Sequence, residues 1–242
     1  MAKQDRAVRT RQELIRCAAE TFYRRGFALS SLSEISGKAG VSTGALNFHF
    51  QSKRELGEAV EAAASETLRR ITGPRPSRCP TPLQALVDTT HDLARHLSED
   101  AILRAGFSLG NDATWPAGNV APLWPEWESW VLGALTVADD AGDLAADVAL
   151  DDAGAAVTAA VVGFEVLGRG DARWFSHRTV TRFWELMLPR LASAAIRGEL
   201  DAGGVEAPAV PENRGDAGAI CQAAGECRRR ERRRVAKDRG AA

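Results

Sequence analysis

Residues 30–53, SSLSEISGKAGVSTGALNFHFQSK, confine the chain more than any other stretch, because the helix punctuation can be read directly from it. Ser31 and Glu34 have the three-residue spacing of a capping box, which predicts a helix beginning at about Leu32. Gly40 falls where that helix must stop and turn, since glycine enters left-handed backbone angles without a steric penalty. Ser42 is placed to cap a second short helix running to about Phe50. Ser52 and Glu55 make a further capping box that opens a third helix. On this reading Leu32, Ile35, Ala39, Val41, Leu46 and Phe50 face inward, and Ser33, Ser42, Thr43, Asn47 and His49 face out. Two short helices at an angle, the second with small polar tips, have the shape that enters the major groove of DNA.

A chain of 242 residues holds one large or two ordinary domains. Its formal charge of −1 conceals an uneven distribution: residues 1–70 sum to +4, residues 71–200 to −7 and residues 201–242 to +2. A basic first unit beside an acidic middle is what is expected if only the first part meets phosphate. Cys17, Cys79, Cys221 and Cys227 have neither metal-ligand nor redox spacing. Met1–Arg11 is charged and no apolar segment follows it. The longest apolar run, Ala153–Gly168, is made of small residues and contains Glu165, so it does not suit a bilayer span. The expectation is a cytoplasmic protein with reduced thiols, no membrane contact, no metal and no cofactor.

Residues 7–25 read as a helix carrying Leu14, Ala18 and Phe22 at i, i+4 and i+8, ended by Gly26. Ser52 starts a helix to about Ile71, and Gly73–Ser77 with Pro80 and Pro82 then breaks regular structure. Helical patterns follow over about 82–97 and 100–110, then a loop containing Gly110, Asn111, Asp112, Pro116 and Gly118. Another helix starts at Pro122 or Pro125, and two more span about 149–167 and 174–197. No alternating strand pattern occurs, so the fold class is all-α. We divide the chain into a three-helix helix-turn-helix DNA-binding domain (1–52), a helical ligand-binding and dimerisation domain (53–198) and a disordered tail (199–242). That tail carries the arginine run Arg228–Arg234, which reads as a solvated segment or as an additional non-specific phosphate contact.

The arrangement RTRQELIRCAAETFYRRGFALSSLSEISGKAGVSTGALNFHFQSKRELGEAV resembles the amino-terminal domain of TetR-family transcriptional repressors. Within that family the chain is most similar to the γ-butyrolactone receptors of antibiotic-producing actinobacteria. The likeness rests on GALNFHF at Gly44–Phe50, LRAGFSLG at Leu103–Gly110, Glu126-Trp127 and Val161–Gly163. The resemblance implies a homodimeric repressor that binds a pseudo-palindromic double-stranded operator. It would be released by a small amphipathic signal such as a γ-butyrolactone, butenolide or furan, and would control antibiotic biosynthesis genes. The alternative is a DNA-binding regulator that answers another ligand, or none.

The expected DNA contacts are Ser33, Ser42, Thr43, Gly44, Asn47, His49 and Lys53. Backbone N–H groups at Ser42 and Thr43 favour phosphate, and Gly44 lets the backbone approach a base edge closely. His49 faces a phosphate, Phe48 is expected to pack inside, and the resemblance implies a phosphate contact for Lys53. Arg6, Arg9 and Arg11 reach an adjacent groove or form a solvated arm. Two positions depart from the family pattern: Asn47 stands where tyrosine is usual, and Thr43 where lysine is usual. Asparagine can pair with adenine N6 and N7.

Trp124, Trp127 and Trp130 are spaced three apart and cannot all face one pocket. The resemblance selects Trp127 for the ligand, with Leu103, Phe107, Thr158, Val161 and Val162 as lining partners and Thr158 as the hydrogen-bonding group. Ala64 replaces a glutamine often found in the family, which implies a changed ligand headgroup. The helices at 153–168 and 174–191 are expected to pair with their symmetry mates, Ala159, Ala160 and Gly163 allowing close approach and Val157, Val161 and Leu167 adding apolar area. Burial within one subunit is the alternative. Two strings, Gly40–Gly44 and Gly106–Gly110, satisfy G-x-S-x-G, but both fall in helical surroundings without the strand a nucleophile elbow needs. No enzyme is expected.

Overall fold

A computed structural model describes residues 2–73, 81–115 and 122–204. Pro74, Pro76, Pro80, Cys79, Pro116, Gly118, Cys221, Cys227 and Arg228–Arg234 lie outside the described residues. Within them the chain is all-α, with nine α-helices: α1 (Ala2–Leu29), α2 (Leu32–Lys38), α3 (Thr43–His49), α4 (Lys53–Thr72), α5 (Pro82–Glu99), α6 (Ala101–Gly110), α7 (Leu123–Asp140), α8 (Leu150–Gly168) and α9 (His177–Leu191). A 3-10 turn, Ala172–Phe175, joins the last two.

The serine caps form as the sequence requires. The side chains of Ser31, Ser42 and Ser52 accept from the backbone N–H of Glu34, Ala45 and Glu55 at 3.2, 3.1 and 3.1 Å. Gly40 takes φ +69° between α2 and α3. Gly26, at φ +76°, does interrupt α1, but one more turn of helix follows it, and α1 begins at Ala2 rather than near residue 7. The segment carrying Arg6 is therefore helical, and Arg6 and Arg9 are exposed on it.

α9 is shorter than its periodicity suggests. Pro189 contributes no N–H, and Ala192 turns extended (ψ 138°). There the chain pairs with the α7–α8 loop instead: Ala145 N donates to Leu191 O and Ser193 N to Asp143 O, both at 2.8 Å. The start of the expected tail is also ordered. Gln84 on α5 accepts from Asp201 N at 2.8 Å and donates to Asp201 O at 3.0 Å, and Leu200 and Ala202 pack on the core.

Two apolar clusters organise the fold. The first gathers Leu14, Ala18, Phe22, Ile35, Leu46 and Phe50 from α1–α3, together with Leu56 and Val60 of α4 and Ala105 and Leu109 of α6. The second holds the remainder of α4 (Ala64, Leu68, Ile71) with α5–α9 around Trp127 and Trp184. α4 thus contributes to both cores. Its contact with α6 is close: a Cβ on Gly106 would overlap the Ala64 methyl. The residue that stands where the family often has a glutamine is therefore fully buried against a neighbouring helix.

Candidate operator interface and ligand site

α3 is held against α2 by the buried side chains of Leu46 and Ile35, and Ser36 Oγ lies 3.3 Å from Thr43 Oγ1. Ion pairs from Arg25 to Glu34 and from Lys38 to Glu20 fasten α2 to α1. Ser33, Ser42, Thr43, Gly44 and Asn47 are exposed, as expected, and His49 is half-buried. Phe48 does not pack. It is 84% exposed, with the His49 ring edge-on at 5.4 Å. Two residues beyond Leu46, it is rotated about 200° away from the buried stripe of this helix.

Lys53 is engaged within the protein. Its ammonium donates to the carbonyls of Phe27, Ala28 and Ser30 at 2.8, 3.2 and 3.0 Å and lies 4.4 Å from the Phe27 ring centre. A lysine has three N–H donors, and all three close the carboxyl end of α1. Contact with a phosphate would require it to give one up. Of the early arginines, Arg11 stacks over Phe50 at 5.0 Å.

In the second cluster Leu103, Phe107, Trp127 and Val161 come together as one contiguous core. Val162 lies outside that cluster and is part-exposed, because the adjacent position on a helix is turned by about 100°. Trp127 is fully buried and stacks on Trp130 with centres 5.1 Å apart. Trp124 packs on Phe107 at 4.4 Å, and Trp130 donates its Nε1–H to Thr72 O at 3.0 Å. The buried Nε1 of Trp127 and Oγ1 of Thr158 make no hydrogen bond to any protein atom, and neither do the indole nitrogens of Trp124 and Trp184. Buried polar atoms are nearly always paired. The three indole nitrogens, those of Trp124, Trp127 and Trp184, belong to the second apolar core. Glu126 accepts from Ser65 Oγ at 2.8 Å and Arg69 Nε at 3.3 Å, so it fixes α7 on α4.

α8 shows which of its small and apolar residues face where. Val157 and Val161 are buried in the protomer, against the expectation that they serve pairing between subunits. Ala159 is exposed, a Cβ on Gly163 would meet nothing within 4 Å, and Val166 and Leu167 are nearly half-exposed. Leu186 on α9 is 79% exposed. These residues give α8 and α9 an apolar outer face.

Sequence reasoning missed one connection. Glu165 on α8 is fully buried and receives both Nε and Nη2 of Arg169 at 2.9 and 2.8 Å. The guanidinium groups of Arg169 and of Arg104 on α6 lie 5.9 and 5.4 Å from the ring centre of Tyr23 on α1. Burial pushes the Tyr23 hydroxyl pKa up, so the ring stays neutral between them. The only advance sign was a charged residue, Glu165, inside an apolar run.

Neither serine of the G-x-S-x-G strings follows a strand: Ser42 caps α3 and Ser108 lies within α6. No described helix is long and apolar enough to cross a membrane.

Residues 14–60 match the model for bacterial regulatory proteins of the tetR family, and residues 80–193 match that for the tetracyclin repressor-like C-terminal domain. A solved γ-butyrolactone receptor (ArpA-like protein) is 30% identical, with a TM-score of 0.71 over 80% of this chain and 94% of that one. The chain belongs to the TetR family. The A-factor receptor protein of Streptomyces griseus is 28% identical over the whole of this chain and 82% of its own length. CprB of Streptomyces coelicolor, solved in complex with its biological operator sequence, is 31% identical, with a TM-score of 0.69 over 80% of this chain and 94% of that one. This TetR-family chain is thus a DNA-binding regulator similar to γ-butyrolactone receptors.

Proposed function

We propose that the chain is a homodimeric repressor whose operator binding is released by a small amphipathic signal of the γ-butyrolactone, butenolide or furan class, acting on antibiotic biosynthesis genes. Residues 1–52 carry the DNA contacts, and residues 53–198 the ligand site and the dimer interface. The observation that carries the ligand reading is that Trp127 Nε1 is buried without a partner in an apolar core, and Thr158 Oγ1 on α8 is likewise buried and unpartnered. Trp127 belongs to the same core as Leu103, Phe107 and Val161. A lactone offers a carbonyl acceptor and an apolar tail, which is what such a site satisfies. The acidic middle of the chain disfavours an anionic effector and leaves a neutral lactone unaffected.

On the DNA side, Ser33, Ser42, Thr43, Gly44, Asn47 and His49 form the operator surface, and Lys53 supports it from behind. Two copies of α3 on one duplex require a dimer. The outer face of α8 and α9, with Gly163, Val166, Leu167 and Leu186, supplies its interface. The ligand acts by favouring a conformer in which the two α3 helices no longer match successive grooves.

Trp127→Phe tests the ligand reading. It keeps an aromatic ring beside Trp130 and removes an N–H that no protein atom satisfies, and the smaller side chain should cost about 1–2 kcal/mol of stability through the cavity it leaves. Operator duplex selected from a random pool should bind as before, and release by a synthetic γ-butyrolactone, followed by fluorescence anisotropy, should need at least about tenfold more ligand, the worth of one lost buried hydrogen bond. Unchanged release would remove Trp127 from the site.

A further inference from the structure

Phe48 is the most exposed large apolar side chain among the described residues. One exposed apolar residue is ordinary on a protein surface, so its position carries the argument. It stands one turn after Gly44 on the outward side of α3, beside the polar pair Thr43 and Asn47, which have the same i, i+4 spacing. Gly44 is itself unexplained by the fold. Its φ is not in the left-handed region, and a Cβ there would meet only Ser42 Oγ, at 3.8 Å in ordinary contact. Glycine costs helix stability relative to alanine, yet neither the backbone nor the packing asks for one. The space next to Phe48 is left open on the face that meets DNA.

We propose that Gly44 and Phe48 form an apolar notch that takes the 5-methyl group of a thymine, making Phe48 a specificity-determining residue of the operator surface. The inference rests on the reading of α3 as the helix that enters the major groove. Of the four bases only thymine presents a methyl group there, and an aromatic side chain is a suitable partner for it. Gly44 lets the backbone come close enough for the ring of Phe48 to reach that methyl edge-on. Asn47, on the adjoining stripe, is left to read a neighbouring base through hydrogen bonds. The combination makes thymine the preferred base at one position of each half-site without any hydrogen bond to it.

The test uses the full-length protein and the duplex that the wild type selects from a random-sequence pool, resynthesised with each thymine singly replaced by deoxyuridine. At one thymine per half-site the wild type should lose roughly fourfold in affinity, the worth of one buried methyl-sized group. Phe48→Ala should bind the thymine and deoxyuridine duplexes at that position within about 1.5-fold of each other, since the contact is gone. Phe48→Leu should retain part of the discrimination. The side chain is exposed, so both variants should unfold at the wild-type temperature. Methyl sensitivity that persists in Phe48→Ala, or an equal loss on both duplexes, overturns the inference and assigns Phe48 to the sugar–phosphate backbone. A wild type that selects no sequence overturns the DNA reading of α3 and this inference with it.

Discussion

Replacing Lys53 by methionine separates a structural lysine from a phosphate-binding one. Methionine keeps the apolar stem over Phe27 and deletes the ammonium. Three carbonyls, those of Phe27, Ala28 and Ser30, then lose a charged donor at 2.8–3.2 Å. Hydrogen bonds to charged groups contribute about 1.5–3 kcal/mol each when well buried. Lys53 is half-buried, so water recovers much of this, and the net cost should be about 2–4 kcal/mol. For a chain of this size that corresponds to a fall of roughly 5–12 °C in unfolding temperature, measured by calorimetry at fixed protein concentration. The salt dependence of operator binding gives the complementary reading. A lysine on phosphate contributes a slope of about −0.9 in log K against log salt, so two per dimer contribute nearly −2. With the ammonium committed to α1, that slope should stay as in the wild type. An unchanged unfolding temperature together with a slope reduced by nearly two would refute the structural role.

Three further outcomes follow from the geometry. Asn47→Ala should cost about 1–3 kcal/mol on the selected duplex and much less on random DNA; equal losses on both would move Asn47 to the phosphate backbone. Leu186→Arg should leave the protomer folded but monomeric in sedimentation and should abolish tight binding to a palindromic site, whereas a persistent dimer would place the interface elsewhere. Glu61 is buried, accepts from Trp115 Nε1 at 2.9 Å, and has its carboxyl pKa pushed up, chiefly by burial. A raised carboxyl pKa means the folded state holds its proton to higher pH than the unfolded state, so this contribution to stability is present at low pH and is lost as pH rises through the folded value. Glu61→Gln keeps the acceptor, and its stability relative to wild type should therefore improve from about pH 4 to about pH 7; a difference that is flat with pH would contradict this.

What the sequence disclosed was mostly local. Ser31, Ser42 and Ser52 cap helices through contacts three residues away, and Gly40 turns the chain by its own backbone freedom, so strings of a few residues contain the whole cause. The hydrophobic character of Phe48 points inward while its angle points outward: two residues from both Leu46 and Phe50, it cannot share their buried face. Lys53 could not be read because its partners lie more than twenty residues earlier, at a helix end that only the tertiary fold brings near. The end of α9 and the ordered residues 199–204 were hidden for the same reason, since Asp143, Ala145 and Gln84 fix them from distant parts of the chain. On α8 the small residues run all round the helix. Its periodicity was therefore too weak to tell Val157 and Val161, which face the core, from Val162 and Val166, which do not.

The shared ownership of α4 limits how such a protein can be taken apart. A fragment ending at residue 52 would lack Leu56 and Val60, and also Ala105 and Leu109 from α6, all of which close the first core. Grafting this operator-reading unit onto a foreign sensor therefore means carrying the first two turns of α4 and rebuilding the face of α6 that receives them. The seam between the two cores runs through the middle of a helix instead of through a linker, so any exchange of the first core needs a partner whose α6 already fits.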